Sequence, residues 1–165
     1  MDQSLETLIK DLNCNDGVQR KNAREAIVKT GKPAVPYLVK ILSDSNDRVR
    51  WEACKALGSI KDPVAAIPLT KALGDKVSEV RWLAAEALIT IDSAAIVPVL
   101  EALISQIDSH DLRQGAHHVL NALAKKDLLD KATIDVLDKL SNTEPNSSVY
   151  LATQTALNAI KKTKK

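Results

Sequence analysis

The sequence predicts an all-α fold, a right-handed α-solenoid of about five helix pairs. Three observations carry this. VRWEACKALGSI at 49–60 returns thirty-one residues later as VRWLAAEALITI at 80–91, with seven of twelve positions identical. The 165-residue chain has no Phe, and its aromatics are Tyr37, Trp51, Trp82 and Tyr150. Its core must therefore be built from Ala, Leu, Ile and Val. Small side chains let helices approach closely, and Ala and Leu are strong helix formers. Finally, capping residues and prolines interrupt the apolar pattern at a similar interval.

Each pair follows from its own residues. In the first, about 1–31, SLETLIKDL at 4–12 sets Leu5, Leu8, Ile9 and Leu12 on one face. Residues 19–30 place Ala23, Ala26, Ile27 and Thr30 in the phase of the later second helices. Gly31 followed by Pro33 ends that helix and opens the next. The second pair, 32–60, carries Pro36 where Pro68 and Pro98 stand later, and Ser45-Asn46-Asp47 precedes its second helix. At about 100° per residue, Val49, Ala53, Ala56, Leu57 and Ile60 share one arc, the core face. Arg50 and Cys54 lie to one side, where a neighbouring repeat packs. Trp51, Glu52, Lys55 and Ser59 lie on the far side.

The third pair, 61–91, opens on Asp62-Pro63, an N-cap followed by proline at the first helical position. Ile67, Leu69, Ala72 and Leu73 mark its first helix. Ser78-Glu79 precedes the second, whose core positions are Val80, Ala84, Ala87, Leu88 and Ile91. The fourth, 92–126, opens on Asp92-Ser93. It places Val97, Val99, Leu100 and Leu103 on one helix and Leu112, Ala116, Val119, Leu120 and Leu123 on the next. The fifth, 127–162, ends in VYLATQTALNAI, with Val149, Thr153, Ala156, Leu157 and Ile160 in phase. One domain spans 1–165, with a basic tail KKTKK at 161–165. Divergent outer pairs are expected of caps whose outer face meets water.

The pattern Asp44…Val49-Arg50-x-x-Ala53-Cys54-x-Ala56-Leu57-Gly58, followed by Asp62…Ala66-Ile67-Pro68-Leu69, resembles the HEAT repeat. It is most similar to the short HEAT-like class named after phycobilin lyases, specifically over 32–104 and more weakly outside. The resemblance implies that the Val-Arg helices are the inner, concave ones. It also implies an Asp–Arg ladder along the repeats, here Asp44, Arg50, Asp75 and Arg81. Tyr150 replaces the Arg in the last repeat and Gln154 the small residue, so the ladder should stop there.

These features point to a binding surface. Trp51 and Trp82 should sit side by side on the second helices, as exposed Trp is a frequent interface anchor. Around them, the stripe Glu52, Lys55, Leu83, Glu86, Gln114 and His118 varies between repeats while the core positions do not. A varied surface on a constant frame is how repeat scaffolds make sites.

Chemistry, by contrast, is absent from the sequence. There is no GxSxG, no Gly-rich phosphate loop, and five glycines in all. His110, His117 and His118 do not form a ligand set, because adjacent residues on a helix point about 100° apart and no HExxH-like spacing accompanies them. No catalytic residue, cofactor or metal is expected. Cys14 and Cys54 read as free thiols of a reducing compartment. Residues 1–20 hold no apolar signal-like core, and the apolar run 94–103 is too short to span a bilayer. A cytoplasmic protein without a membrane partner is expected.

The sequence thus predicts a non-enzymatic scaffold that binds a protein through its second helices. Two alternatives follow. Nucleic acid could meet a track of Arg20, Lys21, Arg24, Lys29 and Lys55, although the net charge is only +2. The class resemblance also implies an accessory role in bilin attachment. The chain is expected to be a monomer or to associate weakly end to end through Leu5, Ile9, Leu151 and Ile160.

Overall fold

The computed structural model describes residues 4–163, and ten α-helices account for most of them. They pair as α1 (Leu5–Asp11) with α2 (Gly17–Thr30), α3 (Val35–Ile41) with α4 (Asp47–Ile60), and α5 (Ala66–Ala72) with α6 (Ser78–Ile91). Then come α7 (Ile96–Ser105) with α8 (His110–Ala124) and α9 (Lys131–Ser141) with α10 (Asn146–Thr163). Short 3₁₀ turns at Lys32–Ala34, Pro63–Ala65 and Asp92–Ala95 lead into α3, α5 and α7. The fold is an α-solenoid in which α2, α4, α6 and α8 pack in sequence as one continuous row.

Local chemistry sets the helix ends. Asp16, Asn46, Asp62, Ser109 and Asp130 accept backbone N–H bonds from the first turns they precede. Gly31, at φ 70°, lets the chain leave α2 and turn into the next pair. Two expected caps work differently. Ser78 already lies inside α6, and Asp75 accepts from the Val77 amide instead. Asp92 does not cap with its side chain. It takes a left-handed conformation (φ 59°), and its carboxylate accepts from Lys126 Nζ at 2.5 Å.

That turn at Asp92 matters. Ser78–Ser105 is long and apolar enough in composition to cross a bilayer, with an 18-residue window of mean hydropathy 1.9. It is nevertheless two solenoid helices that meet at Asp92.

The core runs along the seam between the two rows. Ala53, Ala56, Leu57, Ala84, Leu88, Ala116, Val119 and Leu120 are essentially inaccessible. Truncating one such leucine to alanine costs about 2–5 kcal/mol. Some expected core positions fall outside. Thr30 is exposed at the C-terminal end of α2, its hydroxyl bonded back to the Ala26 carbonyl. Ile67 is 58% exposed on the outer face of α5. Burial phase aligns Ala34-Val35 with Ala65-Ala66 and Ala95-Ile96, so Pro36 matches Ile67, one place ahead of Pro68.

The last pair departs from the others. The two helices pack most extensively on each other, and towards the preceding pair α10 lies against α7 and α9 against α8, in place of row-on-row stacking. Leu151 remains 65% exposed at this end, whereas Leu5, Ile9 and Ile160 pack partly on the core. Of the basic tail, Lys161 and Lys162 are exposed on α10, and Lys164 and Lys165 lie outside the described residues.

Candidate functional site

The row of second helices carries the stripe residues at three recurring positions. The first is that of the tryptophans. Trp82 is 59% exposed and stands over a groove between α6 and α8, with Arg81, Ala85, Gln114 and His118 along its walls. Trp51 is not its equal. It is half-buried against the core, and Lys55 lays its ammonium 4.3 Å from the ring centroid. Burial, with Arg24 nearby, pulls the Lys55 ammonium below its ordinary value, while Glu52 opposes that shift.

The second position holds Glu52, and here the structure corrects the expectation of an exposed residue. Glu52 is 3% exposed. Arg24 Nη1 donates to its Oε2 at 2.5 Å, and Arg20 Nε lies 3.6 Å from its Oε1. The cause is helical phase. One residue beyond Trp51 turns the side chain by about 100°, into the seam with α2. The equivalents agree. Leu83 packs partly on the core, and a Cβ on Gly115 would come within 3.1 Å of Leu73. This position packs against the preceding repeat. It also draws Arg20 and Arg24 into an ion-pair cluster, away from the basic track considered for nucleic acid.

The third position holds Lys55, Glu86 and His118. His118 Nε2 and Glu86 Oε1 are 2.8 Å apart, which links α8 to α6 across the exposed face. The other histidines point elsewhere. His117 pairs with Ser141 Oγ at 3.0 Å, and His110 stands near Asp111.

The ladder is present and has a rule. Arg20, Arg50 and Arg81 each donate Nη1 to the carbonyl six residues back, those of Cys14, Asp44 and Asp75, at 2.8, 2.9 and 2.8 Å. A second edge then reaches the next repeat. Arg50 takes the Asp75 carboxylate, and Arg81 Nη2 approaches Asp111 at 3.4 Å. Asp44 differs from the expectation: it offers Arg50 its backbone oxygen, and its carboxylate caps the Asn46 amide at 2.8 Å. Arg113 was missed as a member, although Leu112-Arg113 repeats the Val-Arg pair. It donates to Asn146, and Asn146 in turn to Asp108. No arginine follows at Tyr150, and the ladder ends.

Comparison with known proteins identifies the repeat. The profile of HEAT repeats matches residues 5–89 and again 68–158. A chain in the complex of CpcE and CpcF of phycocyanin lyase from Nostoc sp. PCC7120 is similar, at 26% identity and a TM-score of 0.62. That match covers 93% of this chain and 97% of the other. An engineered protein is similar at 23% identity and a TM-score of 0.49, over 96% of this chain and 81% of its own. A designed armadillo repeat protein is similar at 19% identity and a TM-score of 0.41, over 94% and 99%. A search of curated proteins finds no significant match. On the profile match along nearly its whole length, the chain belongs to the HEAT-repeat family.

Proposed function

We propose that this protein is a non-enzymatic scaffold that docks a protein partner on its row of second helices, with Trp82 as the anchor. The observation that carries the reading is the exposure of that indole. A large apolar ring left 59% open beside a groove is unusual in a chain otherwise so poor in aromatics. Trp at such positions contributes much contact area at little entropic cost. The similar phycocyanin lyase chain is itself solved in a two-protein complex, which supports a protein partner in general. The reading places the chain in the reducing cytoplasm, where Cys14 and Cys54 stay free.

The test is a pull-down from native lysate with wild type, Trp82→Ala and Trp51→Ala in parallel, with bound proteins identified by mass spectrometry. A partner held by wild type and Trp51→Ala but lost by Trp82→Ala is expected. Equal retention by all three would move the site off this face.

The similarity to the phycocyanin lyase chain favours one second reading, an accessory role in bilin attachment. Adding the chain to a reconstituted attachment assay should then change pigment absorbance. Unchanged absorbance would remove this reading and leave the docking reading intact.

A further inference from the structure

We propose that the open face of Trp82, beside the carboxylate of Glu86, receives a cationic side chain, a lysine or arginine of the protein partner. This rests on the reading of the second-helix face as a docking surface.

The duplicated helices supply the argument. Residues three before and four after a tryptophan lie beside it on the helix surface. In α4 those neighbours of Trp51 are Arg48 and Lys55, and in α6 those of Trp82 are Glu79 and Glu86. The same ring on the same frame has two cations at these places in one copy and two acids in the next, of which Glu79 accepts from Ser78 Oγ and lines the groove beside Trp51, leaving Glu86 to serve Trp82. In α4 the chain fills the site itself, as the Lys55 ammonium sits 4.3 Å from the Trp51 centroid. In α6 the filling residue has become an acid, and the ring is left open.

The rest of the α6 surface keeps the site negative. Arg81, which lines the same groove, already serves the Asp75 carbonyl and Asp111. His118 holds Glu86 by Oε1, and among the described residues no hydrogen bond reaches Oε2. A cation over an indole face is attracted by the ring quadrupole, and an adjacent carboxylate adds to that attraction. Lys55 on Trp51 shows that the helix geometry permits the contact.

The experiment uses the full chain with Trp51→Phe, so that Trp82 is the sole fluorescent indole. The probe is a blocked Gly-Arg-Gly-Lys-Gly peptide, with a matched peptide in which citrulline and norleucine replace the two cations. At low salt the cationic peptide should perturb Trp82 saturably and bind about ten-fold more tightly than the neutral one. Adding Glu86→Lys should close the site with the chain's own lysine and weaken binding by about ten-fold or more, with an unchanged helical melt.

Equal binding of both peptides, no saturable change up to about ten millimolar peptide, or full affinity in Glu86→Lys would overturn the proposal. So would self-association of the chain that Glu86→Lys abolishes without any peptide binding, since the occupant would then be a second copy. The pull-down separates this failure from that of the docking reading. A partner lost by Trp82→Ala while the cationic peptide fails leaves docking intact and removes only the cationic chemistry.

Discussion

Arg50 holds Asp75 with two parallel hydrogen bonds, Nε to Oδ2 at 2.6 Å and Nη2 to Oδ1 at 2.8 Å, and so ties one repeat to the next. Its remaining nitrogen holds the chain's own turn at the Asp44 carbonyl. Both side chains are nearly buried, at 5% and 9% exposure. A guanidinium in this position needs a planar partner that accepts twice, and a carboxylate supplies it.

Removing that carboxylate should be costly. Burial by itself raises the Asp75 carboxyl, but the Arg50 bonds and the Val77 amide outweigh it and hold the group below its usual range. A carboxyl lowered by folding stabilises the protein above its unfolded pKa of about 4, and that contribution is lost as pH falls through the folded value. Asp75→Ala is therefore expected to lose about 3–5 kcal/mol at neutral pH, because a buried guanidinium is left without its counter-charge. Asp75→Asn should lose less, since its amide oxygen still accepts. Urea denaturation at neutral pH and again below about pH 3 checks both parts. The gap between wild type and Asp75→Ala should shrink in acid, and a constant gap would refute the linkage.

How far this architecture could be read in advance depended on period and phase. The core of α4, α6 and α8 was legible because its small residues recur at fixed helical positions. Glu52 was not, because a charge on the polar side of a wheel looks exposed until a neighbouring repeat covers it. Only the arginines of α2 explain its burial. The different fates of Trp51 and Trp82 were hidden in their flanks, where Lys55 in one copy becomes Glu86 in the other. The altered packing of α9 and α10 had no local signal, since residues 149–160 keep the second-helix pattern while α10 meets the preceding pair through α7.

The two indoles should be distinguishable in solution. Trp82 is largely exposed, and Trp51 is half-buried beneath Lys55. In Trp51→Phe, the remaining Trp82 should be quenched by acrylamide several-fold more efficiently than Trp51 is in Trp82→Phe. Its emission should also lie further to the red. Equal quenching of the two would contradict the packing described.

The cysteines should differ as sharply. Cys54 is fully buried on α4, and burial, followed by the nearby charge of Asp75, pushes its thiol up to about 12. Only the thiolate reacts, so at pH 8 the reactive fraction is on the order of one in ten thousand even before access is considered. Cys14 lies in the turn between α1 and α2, partly accessible, with its Sγ donating to the Asp16 carbonyl at 3.2 Å. A thiol reagent should therefore modify one cysteine promptly in the native protein and the second only on unfolding. Peptide mapping should place the fast label on Cys14. Two fast labels would mean that α4 opens readily.

Gly58 sets how closely α4 and α6 approach. A Cβ at this position would come within 3.1 Å of the Ala87 Cα, a backbone atom that cannot swing aside. The Thr90 hydroxyl also donates to the Gly58 carbonyl at 2.8 Å, so the contact is bonded as well as tight. The equivalent residue in α6 is Ile89, which shows that the second-helix frame does not demand glycine there. The demand comes from this one seam. Glycine costs a helix interior roughly 1 kcal/mol relative to alanine, so a substitution gains that propensity and must be judged against the clash. Gly58→Leu adds four carbons to a seam without room for one. It is expected to lower stability by about 1–3 kcal/mol despite the better helix propensity. Gly58→Ala should fall between it and wild type, because a single methyl needs only a small separation of the two helices. Thermal denaturation of the three proteins orders them, and a Gly58→Leu chain more stable than wild type would show that the seam yields.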